Sequence, residues 1–339
     1  MDILIKSFNR PYYLDRCLFS INKHVNIGNG KIKILDDGTP QIYLDKIIDK
    51  YPNVIINKSV FYEEKVRYTI EGKRPEKYNI PINLWVDAAQ KASENFILIE
   101  DDTWFINDIN LDEVNKEIAI NNVALTKLYW IGNARINQSK KEIPLKNIIL
   151  LIPKLFTTIP AIYYFVFYKF DCFKIRKALR FFKINTDERE LAYRTIYAVA
   201  GMIFNKNYFT KLWDNHQNSI DEGLQIFNAV KVFRNQNKNL QFARYKHEIL
   251  RTGFISSATN QDKEVYAENV DMFVFNKLMN EAWLHNQLDV ISSLPNDIQV
   301  QPIIKILDEN SQKKILSKNW IDWVGSFKDF YIKMGCKID

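Results

Sequence analysis

The first hundred residues alternate short apolar runs with longer amphipathic segments. Four apolar runs have the length of buried strands: residues 2–7, 31–35, 54–56 and 96–99. Three segments between them repeat apolar side chains every three to four positions, as helices with one buried face do: residues 12–25, 42–51 and 80–92. This order of strands and helices predicts an open α/β sheet, mixed but mainly parallel, with helices on its faces.

The second half of the chain is less regular. Three further runs predict strands: residues 123–131, 198–204 and 240–245. Residues 262–339 are helical by pattern, with two apolar and aromatic stripes. We therefore predict four regions: 1–135, the first half of the sheet domain; 136–185, a hydrophobic and basic insertion; 186–260, the second half of the domain; and 261–339, a helical C-terminal region.

Composition and charge narrow the class of protein. The chain has 339 residues, 47% hydrophobic and 26% charged, as expected of a globular protein rather than a disordered one. Its three cysteines lie far apart, which is neither a disulfide framework nor a zinc pattern and fits a reducing compartment. The first residues lack the apolar core of a signal peptide, so we expect a cytoplasmic protein.

The net charge of +7 comes from one segment. Residues 139–183 hold ten Lys or Arg but only two acids, so we expect one anionic partner surface and no nucleic acid. Within that segment, residues 148–168 form an apolar stretch that is too short, and too interrupted by proline, to span a bilayer. A basic amphipathic stretch, residues 169–183, follows them. This pairing predicts a peripheral contact of residues 148–183 with the anionic inner face of a membrane, or a buried insertion with a solvated basic face.

Polar residues follow three of the predicted strands. SFNRP (residues 7–11) follows the first, DDGT (residues 36–39) ends the second, and EDD (residues 100–102) ends the run at 96–99. The carboxyl ends of parallel strands share one edge of a sheet, where α/β proteins bind ligands. Carboxylates there suit a hard divalent cation that shares its ligands with phosphates. Taken singly, each motif is also an ordinary turn or helix start.

In order and spacing, these motifs resemble those of the GT-A fold glycosyltransferases, most closely the family 2 type. The resemblance covers about residues 1–105. It implies a Rossmann-like domain that binds a nucleotide-diphosphate sugar, with a UDP-sugar as the expected donor and Mn²⁺ or Mg²⁺ as the cofactor. Two departures are a Glu in place of the first Asp of the metal motif, and a poorly kept Ala-Arg-Asn block before the fourth helix.

The resemblance also implies roles for single residues. Donor-binding residues would be Ser7, Phe8, Asn9, Arg10, Asp36, Asp37, Glu100, Asp101 and Arg251. Asp102 would be the direct metal ligand, with Asp101 as a second candidate. His247, which follows a late strand, would complete the metal site, although a lone His is more often structural.

Direct, inverting displacement needs a carboxylate that removes the proton of the acceptor hydroxyl. The resemblance places this base at Asp221 or Glu222, and the residues do not decide between them. Acids at this point also suit an ordinary helix N-terminus.

The expected function is that of a hexosyltransferase in polysaccharide biosynthesis, acting on a glycan or lipid-linked acceptor. A nucleotidyltransferase is the first alternative, but SFNRP lacks the glycine-rich phosphate loop expected of that class. The second alternative is a non-catalytic GT-A-like module that binds a glycan or a membrane.

Overall fold

A nine-stranded mixed sheet forms the centre of the computed structural model. The structure describes residues 1–74, 79–169, 186–217, 219–236, 239–258, 270–310 and 315–338. In chain order the strands of the described residues are β1 (Asp2–Ser7), β2 (Val25–Asn26), β3 (Ile32–Asp36), β4 (Val54–Lys58), β5 (Asn95–Glu100), β6 (Thr103–Phe105), β7 (Ile109–Asn110), β8 (Val123–Lys127), β9 (Ser139–Pro144), β10 (Ile148–Pro153), β11 (Met202–Asn205), β12 (Gln241–Tyr245) and β13 (Leu250–Thr252). Nine of them form this sheet, and the other four are short strands in two separate pairs, β2 with β7 and β6 with β13.

Helices cover both faces of this sheet. The α-helices are α1 (Pro11–His24), α2 (Gln41–Lys50), α3 (Tyr62–Glu71), α4 (Ile82–Gln90), α5 (Leu111–Ile120), α6 (Pro160–Tyr163), α7 (Thr186–Leu191), α8 (Lys206–Leu212), α9 (Glu222–Asn235), α10 (Met272–Leu284), α11 (Val300–Asn310) and α12 (Ser317–Lys333). Two 3₁₀ segments, Ala134–Asn137 and Ala192–Ile196, and one π-helical turn, Tyr164–Tyr168, complete the regular structure of the described residues.

The strand order explains where a ligand can bind. Across the sheet the order is β4, β3, β1, β5, β11, β8, β12, β10, β9. The first four strands of this order are parallel, as are β8 and β12, whereas β11, β10 and β9 pair antiparallel with their neighbours. Strands β3, β1 and β5 therefore end at the same edge, with Ser7 opposite Asp36 and Lys6 opposite Glu100.

Side chains alternate between two cores, one on each face of the sheet. Ile3 and Ile5 of β1 belong to the core that includes α1 and the C-terminal helices, whereas Leu4 belongs to the core with α4, α8 and α9. β5 behaves in the same way, with Ile97 and Ile99 on one side and Leu98 on the other. Strands buried on both faces are continuous apolar runs, which is why the sequence shows them clearly.

The predicted fold class, an α/β sheet flanked by helices with a helical C-terminal region, is confirmed. Several elements were not predicted. Helix α3 lies in a stretch that reads as polar, the short β6 and β13 pair with each other, and β9 and β10 form the end of the main sheet. Residues 139–153, the first part of the predicted insertion, thus belong to the sheet.

The segment predicted to contact a membrane is only partly described. Val166 and Phe167 are buried, as is Tyr163, so this part packs against the fold. Residues 170–185, which contain most of the predicted basic helix, lie outside the described residues. Within the described part of the chain, no helix is both long enough and apolar enough to cross a membrane.

Candidate functional site

A cavity of about 300 Å³ lies at the carboxyl edge of the parallel strands. We call it the first cavity. It is lined by Lys6, Ser7, Phe8, Arg10, Asp37, Ile80, Pro81, Trp85, Glu100, Asp101, Asp102, Ile220, Ser256, Ser257, Ala258, Phe327 and Tyr331. All three motifs at the strand ends thus contribute to it, as the strand order predicts.

The two acids at the end of β3, Asp36 and Asp37, have different partners. Asp36 closes its own turn, because Oδ1 accepts hydrogen bonds from the backbone N–H groups of Gly38 (3.0 Å) and Thr39 (2.8 Å). Asp37 lines the cavity, accepts a hydrogen bond from Ser59 (2.6 Å) and forms an ion pair with buried Lys65. Burial raises the pKa of both carboxyls, that of Asp37 to about 6 against the opposing effect of Lys65.

Gly38 makes this ion pair sterically feasible. Its φ is +135°, and a Cβ at this position would lie 2.6 Å from the Cβ of Lys65. A side chain here would displace Lys65 from Asp37. The glycine of the DDGT motif therefore serves close packing as well as the turn.

Arg10 bridges the two aspartates that follow β5. Its Nη1 donates to Oδ2 of Asp102 at 2.7 Å and its Nη2 to Oδ1 of Asp101. The second oxygen of Asp101 accepts the backbone N–H of Phe8 at 3.1 Å. All three charged side chains are largely buried, so a guanidinium between the two carboxylates offsets much of their repulsion.

The pKa values follow from burial and this pairing. Burial raises the pKa of Asp101 to about 7 and that of Asp102 in the same direction, because Arg10 only partly offsets the loss of solvent. For Arg10 itself, burial lowers the pKa, but the two carboxylates outweigh it and hold the pKa above its ordinary value. The guanidinium is charged at every accessible pH.

Glu100, the departure from the family motif, pairs with a different cation. Lys6 Nζ lies 2.7 Å from Glu100 Oε1 and 4.7 Å from the ring centroid of Trp85. Burial would raise the pKa of Glu100, but the ammonium of Lys6 outweighs it and lowers the pKa. Each acid of the EDD motif thus has a cation of its own chain beside it.

The donor set fits a metal held by one protein oxygen. Oδ1 of Asp102 is buried and accepts no hydrogen bond from the described residues. Within those residues, no group of three or more His, Cys, Asp or Glu side chains is arranged to hold a metal ion. Mg²⁺ commonly binds one or two carboxylates and takes its other ligands from phosphates and water, and Asp102 matches that pattern.

The structure does not bring His247 to this set. His247 is exposed in the loop after β12, where its ring packs against Tyr245. The antiparallel register of β6 and β13 places Thr252 opposite Thr103 and Leu250 opposite Phe105. His247 therefore lies toward the far end of this pair from Asp102.

The SFNRP motif divides between the cavity and the fold. Ser7 and Phe8, which the resemblance assigns to the donor, line the cavity. Asn9 is buried at φ +53°, donates its N–H to Thr39 and accepts a hydrogen bond from Asn280 of α10 at 2.8 Å. Asn9 thus fastens the turn to the C-terminal helices and, in this structure, does not face the cavity.

Asp221 and Glu222 lie beside the cavity at the start of α9. Ile220 lines it, and the two acids follow directly. Asp221 caps the helix through Leu224 N–H (2.9 Å) and accepts a hydrogen bond from Tyr168 (2.8 Å). Glu222 pairs with Arg194. The two predicted bases are therefore near the cavity but engaged with neighbours.

Arg251 lines a second, separate cavity and not the first. Its Nη1 donates to Asn296 at 2.9 Å. Several lining residues of the first cavity were not predicted as site residues: Lys6, Trp85, Phe327 and Tyr331. Lys6 carried a signal, since it is a charged residue at the end of an otherwise apolar strand. Phe327 and Tyr331 come from α12, and only the fold brings them here.

No family model matches the sequence, and comparison with curated proteins gave no match. Solved structures of glycosyltransferases are similar to this chain at low identity. One is S. aureus TarS 1–349, with 12% identity, a TM-score of 0.42, and coverage of 96% of this chain and 80% of that one. A longer TarS structure has 14% identity and a TM-score of 0.29 over 43% of this chain and 23% of its own.

The mannosyltransferase PcManGT from Pyrobaculum calidifontis, in complex with GDP-Man and Mn²⁺, is also similar. Its identity is 10% and its TM-score 0.29, over 40% of this chain and 39% of that one. This chain spans less than a quarter of the longer TarS structure. At these values the likeness assigns no function.

Proposed function

We propose that this chain is a GT-A type glycosyltransferase that moves a sugar from a nucleotide diphosphate to an acceptor hydroxyl. The observation that carries the proposal is the first cavity. Asp37 lines it together with the EDD motif, so a carboxylate for the nucleoside and acids for the diphosphate side share one pocket. A nucleotide sugar needs both.

Phe8 and Asp37 suit the nucleoside end of the donor. Lys65 pairs with Asp37, and its Nζ lies 5.6 Å from the ring centroid of Phe8. Phe8 and Asp37 therefore both lie beside Lys65. Ile80 and Pro81 add apolar surface to the same cavity. A planar base can pack on such a surface while the carboxylate of Asp37 accepts a hydrogen bond from a uracil N–H or a ribose hydroxyl.

Asp102 is the residue proposed to hold Mn²⁺ or Mg²⁺, through its Oδ1. When bound, the ion would supply positive charge that stabilises the departing diphosphate. Arg10 holds the other oxygen of Asp102 and so fixes the carboxylate. Asp101 has both oxygens engaged and is proposed to position Arg10 and the SFNRP turn.

The transfer step needs one proton acceptor from the chain. The oxygen of the acceptor hydroxyl attacks the anomeric carbon, the bond from that carbon to the diphosphate breaks, and the hydroxyl proton passes to Asp221 or Glu222. A positioned base contributes roughly 10²–10⁴-fold. We propose inversion, which follows from a single direct displacement.

A glycan or lipid-linked acceptor, met at an anionic membrane surface, is also part of the proposal. Ile159, Ile162 and Phe165 are spaced by three residues and are 42%, 41% and 48% exposed. Exposed Lys169 follows them. Apolar side chains beside basic ones are what an interfacial element presents to anionic lipid.

The nucleotidyltransferase alternative has less support. A phosphate-binding loop needs backbone N–H groups that point at the ligand. Here the N–H of Phe8 is bound to Asp101 and that of Asn9 to Thr39.

The second alternative, a non-catalytic module, does not need the acids of the EDD motif. These acids are present and line the first cavity.

A thermal-shift screen with UDP, GDP, CDP and ADP, each with and without Mn²⁺, tests the proposal. We expect UDP with Mn²⁺ to raise the melting temperature most, and UDP-sugars then to release UDP on incubation. Asp37→Asn should weaken the UDP shift, whereas Asp45→Asn, an exposed acid on α2, should not. Stabilisation by none of the four nucleotides would contradict the proposal.

A further inference from the structure

The second cavity has about 580 Å³, within the range of ligand sites. It is lined by Trp104, Tyr129, Ile131, Gly132, Glu248, Leu250, Arg251, Thr252, Phe254, Asn296, Asp297, Lys328, Lys337 and Ile338. Its walls come from the β6–β13 pair, the loop after β8, the segment before α11, and α12 with the residues after it. The mechanism proposed above uses none of this cavity.

An aromatic wall separates the two cavities. Phe254 lines the second cavity, and its ring centroid lies 5.6 Å from that of Phe327 and 5.4 Å from that of Tyr331. Phe327 and Tyr331 line the first cavity. One helix, α12, therefore presents Phe327 and Tyr331 to the first cavity and Lys328 to the second. The two cavities are therefore neighbours, one on each side of this layer of rings.

The charges of the second cavity favour an anion. Three cations line it, Arg251, Lys328 and Lys337, against two acids, Glu248 and Asp297. Lys337 is exposed and forms no ion pair within the described part of the chain. A cavity with more cations than acids attracts negatively charged ligands.

Both acids accept hydrogen bonds from uncharged groups of the protein. Glu248 accepts the backbone N–H of Gly132 at 3.0 Å and also that of Trp130. Asp297 accepts the hydroxyl of Tyr13 at 2.9 Å and the N–H of Phe254 at 2.8 Å. Their charges are thus stabilised by the protein's own hydrogen bonds.

We propose that the second cavity binds an anionic segment of a saccharide acceptor, remote from the hydroxyl that reacts in the first cavity. This rests on the proposed glycosyltransferase function. Arg251, Lys328 and Lys337 would contact carboxylate or phosphate groups of the saccharide, where an Arg can bind two oxygens at once. Tyr129, which is partly exposed, adds apolar surface for a sugar ring.

A glycan array probed with the full-length protein, saturated with UDP, tests this inference. The array carries neutral, carboxylated and phosphorylated oligosaccharides, so its arms distinguish the two sources of negative charge. We expect binding to acidic glycans only. The double variant Lys328→Gln/Lys337→Gln should lose at least tenfold in glycan affinity while its UDP affinity changes less than twofold.

A matched control removes two charges outside the cavity. Lys305→Gln/Lys318→Gln takes them from exposed positions on α11 and α12 and should leave glycan binding unchanged. Equal binding of neutral glycans, no glycan binding by a protein that binds UDP, or unchanged acidic binding in the cavity variant would each overturn the inference. Failure to bind any nucleotide diphosphate would instead overturn the proposed function.

Discussion

The ring of Tyr129 lies directly against Gly201. A Cβ at Gly201 would be 1.8 Å from Cε1 of Tyr129, and Gly201 has a φ of +75°. The glycine is also fixed in the sheet, because its N–H donates to Leu98 (2.7 Å) and its carbonyl accepts from Leu128 (3.1 Å). Burial raises the pKa of the Tyr129 hydroxyl, with Glu100 as the next contribution, so this ring stands close to the EDD motif.

Gly201→Ala is expected to destabilise the protein by about 2–5 kcal/mol. A left-handed backbone costs a non-glycine residue roughly 1–2 kcal/mol, and an overpacked contact costs about 1–3 kcal/mol. Because the displaced ring also lines the second cavity, glycan affinity should fall together with stability. Urea denaturation measures the first effect and the glycan array the second.

Gly325 provides the matched control. It lies within α12, and a Cβ there would meet nothing within 4 Å. Gly325→Ala should therefore stabilise the protein by about 0.5–1 kcal/mol, the usual gain of Ala over Gly in a helix. If both variants changed stability alike, the close contact of Gly201 with Tyr129 would not be the cause.

Removing the guanidinium of Arg10 is expected to be severe. Arg10→Gln leaves Asp101 and Asp102 buried without their cation, and breaking a buried pair in this way costs about 3–5 kcal/mol. Arg67→Gln, at an exposed position on α3, should stay within about 0.5 kcal/mol of the parent. Denaturation midpoints of the two variants give the comparison. A small effect at Arg10 would mean that the two acids are not ionised together in the native state.

The two aspartates should respond differently to metal. Asp102→Asn is expected to remove most of the gain in UDP affinity that Mn²⁺ confers, at least tenfold, because Oδ1 of Asp102 is the oxygen proposed to bind it. Asp101→Asn should keep most of that gain, since its oxygens face Arg10 and Phe8. Calorimetric titration of UDP with and without Mn²⁺ measures both. Equal losses would make Asp101 a ligand too.

The sequence revealed the elements whose residues repeat regularly. β1 was predicted at residues 2–7 and is observed there, because the centre of a strand buried on both faces is a continuous apolar run, here Ile3–Ile5. α3 was missed because its turns are polar and only Tyr62, Lys65 and Thr69 are buried. β6 and β13 have three residues each and form only by pairing with each other, so no local sequence pattern predicts them.

The same division holds for the site. Ser7, Asp37 and the EDD motif could be predicted because parallel strands end at one edge. Arg251 was assigned to the donor, but the register of β13 places it in the second cavity. Phe327 could not be assigned at all, because an aromatic residue on a helix has the same pattern whether it faces a core or a ligand.

The base can be identified by two conservative substitutions. Asn is as good a helix cap as Asp, so Asp221→Asn should keep stability within about 0.5 kcal/mol. If Asp221 is the base, this variant loses roughly 10²–10⁴-fold in transfer rate and its acidic limb in the pH–rate profile, while UDP binding is retained. Glu222→Gln should then keep the profile. The reverse result would assign the base to Glu222.

Asp37 should make stability depend on pH. Its folded pKa, about 6, lies above the ordinary value, so between about pH 4 and 6 the native state holds a proton that the unfolded chain has lost. The free energy of unfolding therefore falls as pH rises through this window, by about 3 kcal/mol at most. Asp37→Asn loses the Lys65 pair at every pH, and its slope should be shallower than that of the parent by the contribution of Asp37, because Asp101, with a pKa raised to about 7, still titrates in this range. Asp45→Asn should keep the slope of the parent. Urea denaturation from pH 4 to 7 measures the slopes, and parallel curves for the parent and Asp37→Asn would show that Asp37 is not the titrating group.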